Sequence, residues 1–187
     1  MKKTVVMLLI LCMMMSLAGC QKDSSGTANN YSGANIAEGE EKSSKGPKRV
    51  YLAAPFFNDT EVKNVEYVEN VLSEKGLSYF SPMRRENKGE PGTKEWAYDI
   101  YEADITEIKN ADVVVVLSYG NYDDSGTSWE CGYAVGIGKP VVLVHIDRNG
   151  DSNLMMHCGG LTNIYLDELA DYDFDSMPVY EYTGKML

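Results

Sequence analysis

Past residue 49 the chain alternates short apolar runs with longer stretches of mixed polarity. Val50–Ala54 is an apolar run suited to a buried strand, ended by Pro55. Asn58, Asp59 and Thr60 then offer N-cap oxygens to a helix whose Val62, Val65, Val68 and Leu72 share one face, and Gly76 can close it. Leu77–Phe80 reads as a short strand. Ser81–Thr93, with Pro82, Gly89, Pro91 and Gly92, reads as a loop. Lys94–Asn110 predicts a second helix with Trp96, Ile100, Ala103 and Ile108 roughly on one face. Val113–Leu117 is unbroken and rich in β-branched residues, the pattern of a strand covered on both sides. A polar loop, Tyr119–Gly126, precedes a predicted helix at Ser128–Ile137 with Gly138 as its stop. Val141–Ile146 is another fully apolar strand. Asp147–Ser152 turns the chain, Asn153–Cys158 suggests a short helix, and Asn163–Leu166 a last strand. Tyr172, Phe174, Tyr180 and Tyr182 imply a tail that packs.

This strand–helix rhythm predicts an α/β fold, a parallel sheet flanked by helices on both faces. Ligands of such folds bind outside the carboxyl ends of the strands, here after Ala54, Leu117 and Ile146.

The first 48 residues have no such rhythm. Lys2 and Lys3 precede a short apolar run, Val5–Ala18, and Leu17-Ala18-Gly19-Cys20 reads as a lipobox. A plain signal peptide shares the charged start and apolar run. A cysteine directly after small residues favours lipidation of Cys20, and several acyl chains would anchor the protein to a membrane. Residues 1–20 are thus expected to be a lipoprotein signal peptide. Residues 21–48, rich in Ser, Gly, Asn, Lys and Glu, would be a flexible tether, and 49–187 the folded domain, held outside the cytoplasm. The formal charge of −11 opposes binding to nucleic acid and leaves a small uncharged or cationic ligand compatible. With Cys12 and Cys20 in the leader, Cys131 and Cys158 remain. They could pair, or stay as two buried free thiols, and their spacing gives no metal motif.

The chemistry concentrates in Asp123-Asp124-Ser125-Gly126-Thr127-Ser128-Trp129-Glu130-Cys131-Gly132-Tyr133-Ala134. Glu130 would stand in the first turn of a helix, where the dipole favours the ionised carboxylate, a competent nucleophile toward a sugar carbon. Thr127-x-x-Glu130 equally reads as a capping box, with Glu130 tied to backbone. The glycines at 132, 136 and 138 have the wrong order for a phosphate loop.

Several segments resemble the nucleoside 2-deoxyribosyltransferase family: Val50-Tyr51-Leu52-Ala53-Ala54-Pro55-Phe56-Phe57; Asp104-Ile105-x-x-Ile108-x-x-Ala111-Asp112 before Val113–Val116; Asp124-Ser125-Gly126-Thr127-x-x-Glu130-x-Gly132-Tyr133-Ala134 before Gly138-Lys139-Pro140; Asn153-Leu154-Met155; and the aromatic tail from Tyr180. The third is specific in order and spacing. The resemblance implies a Rossmann-like or flavodoxin-like domain over 49–187 that transfers 2-deoxyribosyl groups between nucleobases through a glycosyl ester on Glu130, without metal or other cofactor. It implies that Tyr51 aligns the Glu130 carboxylate, that Asp104 and Asp124 bind the base edge and one of them handles its proton, that Phe56 stacks near the base, and that Asn153 and Met155 contact substrate. It also implies a homo-oligomer, since sites of this family often borrow residues from a neighbouring subunit, including the chain end. Family members are usually intracellular, so a lipid-anchored copy departs from the pattern.

Each role has a plainer alternative. Tyr51 fits a core aromatic, Asp104 a solvated helix position, Asp124 the turn chemistry it shares with Asp123, and Asn153 a helix cap. Asp112 reads as a turn or cap residue, His145 as a satisfied core histidine, and Arg84 and Arg85 as solvated loop charges; His157 is open. Two further functions compete: an N-glycosidase acting on deoxynucleosides or deoxynucleotides, with water as acceptor, and a surface lipoprotein that binds nucleosides without turnover.

Overall fold

A computed structural model describes residues 48–187; the leader, Cys20 and the expected tether lie outside the described residues. Five strands form one sheet: β1 (Arg49–Ala53), β2 (Ser78–Phe80), β3 (Val113–Ser118), β4 (Val141–His145) and β5 (Thr162–Tyr165). All pairs are parallel and the order is β2-β1-β3-β4-β5. The connection reverses direction across the sheet between β1 and β3, which opens a crevice at their carboxyl ends. The helices are α1 (Asp59–Glu74), α2 (Lys94–Asn110), α3 (Ser125–Gly136) and the short α4 (Leu154–Gly159).

Two apolar layers cover the sheet. Val50 and Leu52 pack with Val65, Val68 and Leu72 of α1 and with Leu169, Tyr172 and Phe174 of the tail. Tyr51 and Ala53, alternate positions on the same strand, face Ile108 of α2, Cys131 and Ala134 of α3, and Met156 of α4. Every residue of β3 and β4 is buried, as their apolar runs require. No helix among the described residues is long and apolar enough to cross a membrane.

Local chemistry sets the ends. Asn58 caps α1 by accepting from the Thr60 and Glu61 N–H groups, and Gly76, at φ 71°, closes it. Asp112 is a turn residue: its carboxylate accepts from Arg49 N–H at 2.9 Å, and its own N–H donates to Arg49 O at 2.8 Å, which starts β1 at Arg49. Two expectations need correction. Helix α3 begins at Ser125, three residues before the expected Ser128, because Asp124 caps it. Arg84 and Arg85 are not free loop charges. Arg84 forks onto the buried Glu69, with Nε and Nη2 2.9 and 2.7 Å from Oε2, and Arg85 pairs with Asp99 at 2.7 Å.

Candidate active site

Tyr51 sits in mid-strand on β1, paired with Phe80 on one side and Val114 on the other. Its ring is fully buried and stacks on Phe80 with centroids 5.8 Å apart. Both readings of this residue are therefore true: a core aromatic, and a phenol that donates to Glu130 Oε1 at 2.8 Å. Glu130 is the sixth residue of α3, not in its first turn. The capping box is absent, because the cap is Asp124, whose Oδ2 accepts from Thr127 N–H at 2.8 Å and Thr127 Oγ1 at 3.1 Å.

Asp104 projects from α2 and is buried, not solvated. Its carboxyl lies within electrostatic reach of the same Tyr51 hydroxyl, whose hydrogen bond goes to Glu130. Burial pushes Glu130 up to about 8; the Tyr51 hydrogen bond opposes this, while the charges of Asp104 and Asp124 add to it. Burial pushes Asp104 up to about 6, against the Tyr51 hydroxyl and the Arg85 charge. The expected effect of the helix dipole, to keep Glu130 ionised, falls away because Glu130 lies beyond the first turn. Near neutral pH the two carboxyl groups titrate as a pair that holds one proton. Tyr51 itself is raised far above the usual phenol range by burial and by the two carboxylates, so it stays a donor.

The sequence model described as Nucleoside 2-deoxyribosyltransferase matches residues 50–162, more than half of the 187-residue chain. The chain belongs to the nucleoside 2-deoxyribosyltransferase family. It is similar to a nucleoside deoxyribosyltransferase of Lactobacillus johnsonii, 37% identical over 93 residues that make up 49% of this chain and 62% of that one. One of Lactobacillus leichmannii is 26% identical over 151 residues, 73% of this chain and 96% of the relative. Among solved structures, a 2-deoxyribosyltransferase of Bacillus psychrosaccharolyticus superposes with a TM-score of 0.66 at 34% identity, covering 72% of this chain and 98% of that one.

The remaining residues that the family resemblance singles out are dispersed. Phe56 follows β1, stacks on Phe57 at 5.8 Å and is exposed. Asn153 caps α4, its Oδ1 accepting from Met155 N–H at 3.0 Å and Met156 N–H at 3.5 Å. Met155 is 75% exposed. Asn153 and Met155 line a cavity of about 470 Å³ with Ser128, Cys131, Gly132 and Cys158, a wall that does not include Glu130. The structure therefore unites Tyr51, Glu130 and Asp104, with Asp124 in electrostatic reach, and leaves Asn153 and Met155 on another face of α3. Cys131 and Cys158 are free thiols, the first buried and the second exposed.

The chain end lies on its own protomer. Ser152 N–H donates to Lys185 O at 2.9 Å, Leu187 N–H to Ser152 O at 2.9 Å, and Leu154 N–H to Leu187 O at 3.1 Å. His145 is a satisfied core histidine, with Nε2 3.0 Å from Asn163 Oδ1 and its ring stacked on Tyr182 at 4.4 Å. His157 shares the same Asn163 oxygen at 3.2 Å. Arg85, which the sequence offered as one of two clustered arginines and read as a solvated loop charge, is instead a residue whose charge bears on Asp104. Among the described residues no group of three His, Cys, Asp or Glu is placed to hold a metal ion.

Proposed function

We propose that the domain transfers a 2-deoxyribosyl group from one nucleobase to another through a covalent ester on Glu130. The observation that carries this reading is the Tyr51–Glu130 hydrogen bond beside the buried Asp104, two carboxyl groups whose pKa values are both raised. A Glu130 oxygen bonds to the anomeric carbon as the carbon–nitrogen bond to the base breaks. The reacting form is the one in which the pair's single proton sits on Asp104 and Glu130 is ionised; the electron pair leaves with the base nitrogen, which takes that proton. An incoming base then attacks the same carbon. The ester bond returns its electrons to Glu130, and the new base gives its proton to Asp104. Two inversions restore the starting anomer. The adjacent carboxylates stabilise the oxocarbenium-like charge of each transition state. Asp124 keeps α3 in place and adds negative charge, and Phe56 covers the base.

The enclosing wall is proposed to come from a second copy. Trp129, Val135, Ile137, Leu154 and Met155 on and around α3 and α4 are all more than a third exposed, an apolar surface that suits self-association. Asn153 and Met155 would then contact sugar and base in a neighbour's site. The domain is proposed to work outside the cytoplasm, tethered through lipid on Cys20.

Hydrolysis, with water as acceptor, is the second reading. A basic phosphate pocket would favour its nucleotide form, and the engagement of Arg84 with Glu69 and of Arg85 with Asp99 speaks against one there. The test is to incubate the protein with deoxyinosine or thymidine plus free adenine. New deoxyadenosine supports transfer, free sugar and base alone support hydrolysis, and affinity without conversion supports a binding protein.

A further inference from the structure

Asn153 is bracketed on both sides by a later segment of the chain. Ser152 N–H donates to Lys185 O at 2.9 Å, Leu187 N–H to Ser152 O at 2.9 Å, and Leu154 N–H to Leu187 O at 3.1 Å. Ser152 and Met186 thus form a parallel β-bridge, and Ser152 is fully buried. The side chain of Asn153 is fixed as well. Its Oδ1 is engaged as the cap of α4, accepting from the Met155 and Met156 N–H groups. An amide whose oxygen is held in this way offers its two N–H donors to a ligand oxygen.

Tyr182 anchors the bracketing segment. Its ring stacks on His145 of β4 with centroids 4.4 Å apart and tilts against His157 of α4 at 5.2 Å. Both histidines are held in turn by Asn163 Oδ1, at 3.0 and 3.2 Å. The Tyr182 hydroxyl donates to Gly150 O at 2.8 Å, in the turn that leads to Asn153. The same turn rests on the loop after β3. Gly120, at φ 104°, lies where a Cβ would stand 2.9 Å from Asp151 O, so only glycine admits the contact. One phenol therefore ties β4, α4 and the turn between them to the residues on either side of Asn153.

We infer that Tyr182 is a positioning residue for Asn153, acting through Lys185–Leu187 of its own protomer. The inference rests on the proposed transfer reaction, in which Asn153 donates to an oxygen of the sugar. A single hydrogen bond from a loop adds little to binding when the loop must first become ordered, and adds most when the donor is already in place. The bonds to Lys185 and Leu187 supply that order on both sides of the amide. The ring contacts and hydrogen bond of Tyr182 go to His145, His157 and Gly150, not to the Tyr51–Glu130 pair. Its effect therefore falls on holding the deoxynucleoside and not on breaking the bond to the base.

The test compares the full-chain wild type, Tyr182→Ala, Asn153→Ser and the double variant, with deoxyinosine varied against saturating adenine. Serine keeps an oxygen to cap α4 and removes the amide donors. Each single variant should raise KM for deoxyinosine about tenfold, the loss of one hydrogen bond, with kcat within about twofold of the wild type. The double variant should also lie about tenfold above the wild type, not about a hundredfold, because the phenol acts only through the amide. Tyr182→Phe keeps the ring against both histidines and should stay within about threefold of the wild type. Hydrogen exchange at the Ser152 and Leu154 amides should quicken in Tyr182→Ala. Unchanged exchange there, a fall in kcat with KM unchanged, or additive losses in the double variant would overturn the inference. A wild type that forms no deoxyadenosine defeats the transfer reading alone. The same proteins are then compared by their affinity for deoxyinosine: the same non-additive pattern supports the positioning role, and additive losses, no loss, or no binding by the wild type overturn it.

Discussion

Glu130, on α3, accepts a hydrogen bond from the Tyr51 hydroxyl on β1, with the buried Asp104 of α2 close enough to raise the pKa of both. The bond to Glu130 spans 2.8 Å and joins residues 79 apart in sequence. The proposed nucleophile is therefore positioned by a side chain that is itself locked in the core, and a rigid support is what a reacting carboxylate requires.

Tyr51→Phe keeps the ring and its stacking on Phe80 and removes only the hydroxyl. The hydrogen bond holds the Glu130 pKa down, so its loss raises that pKa further. At neutral pH less of the nucleophile is ionised, and the remainder is less well aligned. The kcat should fall about tenfold to a hundredfold, with the acid limb of the pH–rate profile displaced to higher pH. A profile that keeps its wild-type midpoint would separate the phenol from the ionisation of Glu130.

Asp124 has two roles that substitution can divide. Asp124→Ala removes the cap of α3 and should cost about 1 kcal/mol of stability along with activity. Asp124→Asn keeps an oxygen for the Thr127 N–H and so should hold stability within a few tenths of a kcal/mol. It also deletes a charge that raises Glu130, so the Glu130 pKa should fall. Chemical denaturation and a pH–rate profile on both variants give the two readouts.

The sheet was legible because burial on both faces leaves no room for polar residues. The runs Val113–Leu117 and Val141–Ile146 could be read as central strands, and they are β3 and β4. Helix α2 was legible to the residue, since Thr93 caps its start and its apolar positions follow a helical period. The start of α3 was not. Ser125 and Gly126 are poor helix formers that read as loop, and only the Asp124 side chain, bonded to the Thr127 N–H, shows that the helix has already begun. Of the site, Tyr51, Glu130 and Asp124 were reachable from motif spacing. The burial of Asp104 was not, because it comes from packing of α2 against distant parts of the chain that no local motif encodes. The same holds for Arg85, whose partner Asp99 lies on the next helix. For Asn153 the plainer reading, a helix cap, describes what its Oδ1 does within one protomer.

Cys20 and the tether predict where the protein resides. If the leader ends in a lipobox, Cys20→Ser should abolish incorporation of labelled fatty acid and move the protein from the membrane fraction to the soluble fraction. Activity of the soluble domain per molecule should not change, because no step of the proposed chemistry involves the lipid. Fatty-acid label that persists in Cys20→Ser would refute the anchor.

Glu130 also predicts the pH dependence of stability. Its pKa is raised from 4.5 to about 8 in the folded protein, and that of Asp104 from 3.8 to about 6. Over these windows the native state binds more protons than the unfolded state, so stability falls as pH rises through them. The penalty is absent below the unfolded values and complete above the folded ones. Glu130→Gln removes the larger contribution. Its Tm should exceed that of the wild type at pH about 8, and the difference should shrink toward pH about 5, where Glu130 is protonated in the native state and partly so in the unfolded one. The same variant, and Glu130→Ala, should lose turnover by about a thousandfold or more while far-ultraviolet circular dichroism stays native. A Glu130→Gln protein less stable than the wild type at the higher pH would mean that the carboxylate is a structural partner of Tyr51 and not a strained group held ready for reaction.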